Sequence, residues 1–137
     1  MVVVDSSVWT DFFADRPSQE CQTLRALLQQ GTTQLIVPDL VLFEVLRGFR
    51  GERELQQARR LFGEMTVEPI SDAVLARRAA ERWRRLREHG WTVRSSVDAL
   101  VASYCIEREL TLLHRDRDFG AYVEHFGLRS WVELKAS

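Results

Sequence analysis

Five short apolar runs punctuate this 137-residue chain at wide intervals, and helical patterns fill every gap between them. The runs are 2-5 (VVVD), 35-38 (LIVP), 65-70 (MTVEPI), 111-114 (TLLH) and 128-132 (LRSWV). All are rich in β-branched residues or leucine and bounded by turn or charge signals, which marks them as strands. Strands separated by helices require crossover connections, so the alternation predicts an α/β fold: three α/β/α layers, with a mainly parallel central sheet flanked by helices. Ser7 is the expected cap of a first helix running to about Ala14, and Cys21, Leu24, Leu27 and Leu28 recur at helical spacing within 18-30. Further helices are expected from Asp39 to Gly48, over 52-63, from Asp72 to His89 with Gly90 as the stop, over 96-109 and over 119-126. In the Asp72 to His89 helix, Leu75, Ala79, Trp83 and Leu86 form one apolar stripe.

No repeat, low-complexity tract or Pro/Gly-rich linker divides the chain, so residues 1-137 are expected to form a single domain. With 45% hydrophobic and 28% charged residues the composition is that of a folded globular protein. The valine-rich start lacks a basic region and a small-residue cleavage site, and no apolar run approaches a membrane span. The expected compartment is the cytoplasm. Cys21 and Cys105 form no CxxC, and His89, His114 and His125 show no metal-binding spacing, which argues against zinc. Cys105, among Val101, Ala102 and Ile106, reads as a small buried hydrophobe.

A net charge of -1 argues against bulk electrostatic attraction to nucleic acid. The basic residues are nonetheless unusual, since every one except Lys135 is Arg, and Arg77, Arg78, Arg82, Arg84, Arg85, Arg87 and Arg94 crowd one segment. Guanidinium groups suit phosphate because their planar fork donates two hydrogen bonds at once, although a solvated helix face explains the same run.

The acids carry more information. Asp5 ends the first strand, Glu44 interrupts the apolar run "VLFEVLRG", Asp98 lies in "SSVDALVAS", and Asp116 and Asp118 follow the fourth strand in "LLHRDRDFG". Each has an ordinary structural alternative: Asp5 as a turn residue, Glu44 as an ion-pair partner of Arg47, Asp98 as part of a capping box begun by Ser95, Asp118 as the N-cap of the next helix. Taken together, Asp5 and Asp116 sit at strand ends, Glu44 inside a helix that follows a strand and Asp98 in the first turn of another helix, and parallel strands share one carboxyl edge where ligands bind. Four carboxylates in one crevice repel one another unless a cation holds them. Hard oxygen donors without His or thiolate select Mg²⁺, with Mn²⁺ as a substitute, and such a centre serves phosphodiester hydrolysis.

The four stretches "VVVDSSVW", "VPDLVLFEVLRG", "SSVDALVAS" and "LTLLHRDRDFG", in this order, resemble the PIN-domain ribonucleases and more closely the VapC-type toxins of toxin–antitoxin systems. The resemblance covers nearly the whole chain. It implies that Asp5, Glu44, Asp98 and Asp116 are the catalytic metal-site acids, that Asp118 is a secondary acid, and that Ser7 supports Asp5 by hydrogen bonding. His114 departs from the family, whose members commonly carry Thr or Ser two residues before the fourth acid. Also implied are an endoribonuclease that leaves a 5′ phosphate, an RNA substrate with tRNA or rRNA as the expected class, a homodimer, and a cognate VapB-type antitoxin that occludes the acidic pocket. Arg82 and Arg85 are the candidate RNA-binding pair.

Three rivals remain at this level. A phosphatase of the haloacid-dehalogenase type also begins with a strand ending in Asp, but requires a second Asp where Ser7 stands. A PIN-type nuclease in RNA processing or on DNA flaps uses the same acids. A non-catalytic interaction module keeps the fold but is expected to have lost at least one acid.

Overall fold

The computed structural model describes residues 1–131. Its sheet contains β1 (Val2–Val4), β2 (Leu35–Pro38), β3 (Thr66–Glu68), β4 (Thr111–Leu113) and β5 (Arg129–Ser130) in the order β3-β2-β1-β4-β5, and every pairing is parallel. The helices are α1 (Ser6–Phe13), α2 (Gln19–Gln30), α3 (Asp39–Arg47), α4 (Glu52–Gly63), α5 (Ala73–Glu88), α6 (Ser96–Arg108) and α7 (Gly120–Phe126), with a 3-10 turn at Arg117–Phe119. Right-handed crossovers put α1 to α4 on one face of the sheet and α5 to α7 on the other. In the packing α1 lies on α2 and α3, α3 on α4, and α5 on α6, while α3 also meets α6.

β1 occupies the centre because its three valines are buried on both faces, as a strand covered by helix layers must be. Trp9 on the inner side of α1 is fully buried and meets the rings of Phe12, Phe13 and Phe62, which fastens α1 to α4. α6 buries residues around most of its circumference, Ala99, Val101, Ala102, Ser103, Tyr104 and Cys105 among them, because it lies between the sheet and α5. Cys105 is a buried free thiol, as its neighbours predict.

Several boundaries differ from expectation. The third strand is confined to Thr66–Glu68 at the sheet edge, where Val67 is exposed, while Ile70 turns into the core. The fifth strand pairs through Arg129–Ser130 alone among the described residues, and Val132, in the expected range, lies outside them. Ser7 is not the cap of α1; Asp5 is, because its short carboxylate reaches the Ser7 N–H while its own backbone stays extended. Asp118 does not cap the seventh helix either. Asp116 caps the intervening 3-10 turn by accepting from the Asp118 N–H at 2.9 Å. Gly90 takes φ +85 just past α5, the left-handed stop expected there. No helix among the described residues is long and apolar enough to cross a membrane.

Candidate active site

Sheet order reverses at β1: the chain first builds outward through β2 and β3, then returns to place β4 on the other side. The carboxyl ends of β1 and β4 therefore border the crevice that open α/β sheets use for ligands. Val4 pairs with Leu113, and the Asp5 N–H donates to the Leu113 carbonyl at 2.9 Å, so Asp5 leaves the sheet at that border.

Asp5 is bound on one side of its carboxylate only. Oδ2 accepts from the Ser7 backbone N–H at 3.2 Å and from the Ser7 hydroxyl at 2.7 Å, which makes Asp5 a helix cap. Oδ1 is buried and has no hydrogen-bond partner, although the residue is only 2% exposed. Burial pushes its pKa up and the Asp116 charge adds to that rise, against the pull of hydrogen bonds from Ser7 and Ser6.

Glu44 is largely buried on α3, with Oε1 unpartnered and Oε2 3.9 Å from Arg47. Burial raises its pKa and Asp5 raises it further, while a Ser6 hydrogen bond and Arg47 oppose the shift. Asp98 is 8% exposed in the first turn of α6, where its N–H donates to Ser95 Oγ at 3.2 Å. Its carboxyl is pushed up to about 8, by burial first and then by the charges of Asp5, Asp116, Glu44 and Asp118. One acid therefore feels four others, which arrive from a strand end, from α3 and from the loop after β4. Among the described residues, no three acidic, His or Cys side chains are gathered closely enough to hold an ion as they stand.

The chain's similarity to other proteins follows the same outline. The PIN domain family model matches residues 2–124, from the start of β1 into α7. This chain is a PIN domain. A VapC ribonuclease of Mycobacterium bovis and ribonuclease VapC11 of Mycobacterium tuberculosis are each 29% identical to it over 119 residues, 87% of this chain and 89% of theirs. Among solved structures, VapBC2 from Rickettsia felis bound to a promoter DNA fragment has a TM-score of 0.74 at 18% identity, covering 95% of this chain and 97% of that one. Mycobacterium tuberculosis VapC20, described as a toxin that cleaves the sarcin-ricin loop, has a TM-score of 0.65 at 22% identity, covering 92% and 96%.

Within this PIN domain, His114 is buried, with Nε2 2.9 Å from Ser130 Oγ and its ring 4.8 Å from that of Phe119. The histidine thus links β4 to β5 and to the turn that follows Asp116. Sequence reasoning missed Asp11, a buried acid on α1 that is ion-paired with Arg115. Arg115 immediately precedes Asp116, so this pair ties the loop carrying one acid to the helix capped by another. The signal was present, since Asp11 interrupts "VWTDFF" as Glu44 interrupts "VLFEVL".

The arginine-rich α5 is less open than its sequence implies. Arg82 is 14% exposed, ion-paired with Glu107 and 5.8 Å from the centre of the Phe126 ring, though its Nη1 has no hydrogen-bond partner. Arg78 pairs with the same Glu107 at 3.1 Å, and Arg85 with Glu81 at 2.8 Å. Burial pushes the Tyr122 hydroxyl up to about 12, with Asp98 and Asp118 raising it and Arg82 lowering it. Tyr122 therefore feels both the acids and Arg82.

Proposed function

We propose that this PIN domain, taken as one domain over residues 1-137, is a metal-dependent endoribonuclease of the VapC toxin type. The observation that carries this reading is the convergence on one buried carboxyl, Asp98, of the charges of Asp5, Asp116, Glu44 and Asp118, which add to the effect of its burial. The unpartnered oxygens of Asp5 and Glu44 fit a divalent cation, because a buried carboxylate oxygen without a donor is costly and an ion supplies what the protein does not. Asp5, Glu44, Asp98 and Asp116 would hold it, with Asp118 beside them. All-oxygen donors favour Mg²⁺, and Mn²⁺ as a substitute. When bound, such an ion lowers the pKa of a coordinated water and offsets charge on the pentacovalent phosphorus. Ser7 keeps one Asp5 oxygen fixed, so the other stays oriented. Burial and the neighbouring acids raise the Asp98 pKa, so Asp98 would have to be deprotonated to help hold such an ion.

The substrate is RNA, with tRNA or rRNA the expected class, and hydrolysis leaves a 5′ phosphate. Arg82 and Arg85 supply phosphate contacts if RNA displaces Glu107 and Glu81 from them. A VapB-type antitoxin as partner is supported by the likeness to a VapBC structure, and a homodimer and a cytoplasmic setting complete the proposal. A non-catalytic module is disfavoured because every acid of the set is retained. Purified protein with Mn²⁺ should cleave RNA, and Asp5→Asn or Asp98→Asn should abolish cleavage while circular dichroism stays unchanged. An Asp5→Asn protein as fast as the parent would sink the mechanism.

A further inference from the structure

We propose that Phe43 and Arg47 form a stacking subsite for an unpaired nucleobase next to the scissile phosphate. The proposal rests on the nuclease reading above. Phe43 is 58% exposed on α3, opposite the side on which Val41 and Val45 enter the core. Arg47, four residues on and 61% exposed, places its guanidinium 5.3 Å from the centre of the Phe43 ring. The same guanidinium lies 3.9 Å from Glu44. A single arginine thus joins an exposed aromatic face to an acid of the site.

The three chemistries match one nucleotide. Glu44 belongs to the acid cluster, Arg47 offers a forked donor to a phosphate oxygen, and Phe43 offers a π-face to the base. A base reaches such a face only when it is unstacked, so duplex RNA, whose bases are sequestered, cannot use it. Continuity with the acids favours this occupant, since Arg47 joins Phe43 to Glu44, where the proposed function places a phosphodiester. Trp91 is the other exposed aromatic among the described large hydrophobics, and its indole N–H is already donated to His125 at 2.8 Å.

Steady-state cleavage in Mn²⁺ of a single-stranded oligoribonucleotide, and of versions with an abasic residue at each position flanking the cut, tests this. Phe43→Ala should raise KM about 5- to 100-fold, the range expected for loss of one base-aromatic stack, while kcat changes far less. Phe43→Trp should restore the parental KM. One abasic position should cost the parent a similar factor and cost Phe43→Ala nothing more. A KM within twofold of the parent, or an abasic penalty equal in both proteins, overturns the subsite. So does light scattering that shows Phe43→Ala converting a dimer to monomer with KM recovering at higher protein concentration, because Phe43 would then be a contact between copies. A parent that cleaves no RNA removes the nuclease reading and the subsite with it; a parent that cleaves normally beside an unaffected Phe43→Ala removes the subsite alone.

Discussion

Asp98 is a carboxyl whose environment works against its charge. It ionises near 3.8 in an unfolded chain and near 8 in the folded one, so between those values the folded protein holds a proton that the unfolded chain has lost. The metal-free protein should therefore lose stability as pH rises from about 4 to about 8, and Asp98→Asn should flatten that decline. Thermal melts in EDTA across this range check the sign; melting temperatures that climb with pH in the parent would contradict it. Asp5 contributes in the same direction, since burial raises its pKa as well. The Asp5 carboxylate accepts from Ser7 on one oxygen only, and its unpartnered oxygen is where a cation would act.

At the scale of elements, the site depends on how a loop is held to a helix. The ion pair between Asp11 on α1 and Arg115 before Asp116 spans the two borders of the crevice. Arg16 lies 3.8 Å from Asp11 on the other side, so the buried carboxylate has cationic partners from two segments. Asp11→Ala should destabilise the fold by about 1–3 kcal/mol, the cost of breaking a charged contact whose arginine can still reach solvent. Urea unfolding of Asp11→Ala, Arg115→Ala and the double variant should reveal coupling, whereas strictly additive losses would show that the two side chains act independently. Periodicity located α1, but not that Asp5 caps it, because a cap is set by the backbone turn at the strand end. Asp116 capping the 3-10 turn in place of Asp118 has the same origin: two acids two residues apart look equivalent until the exit of β4 decides which one reaches an N–H.

For the whole molecule, the acids arrive from separate elements, and the proposed cation site would exist only once they are assembled. Mn²⁺ at about a hundred times its Kd should stabilise the folded chain by about 2.7 kcal/mol, a gain absent from Asp5→Asn and Asp98→Asn. Melting temperatures with and without Mn²⁺ measure this without reference to cleavage, and an equal rise in all three proteins would place the ion elsewhere. Strand and helix positions, the parallel sheet and the burial of Cys105 were legible in the sequence, because hydrophobic spacing and residue chemistry are local properties. Tertiary structure alone decided that Arg82 is committed to Glu107, that Asp11 reaches Arg115, and that Phe43 shares Arg47 with Glu44. Those are matters of which partner lies within a few ångströms. A guanidinium or carboxylate has the same formula on an open surface and in a closed pair, and only the folded chain shows which it has become.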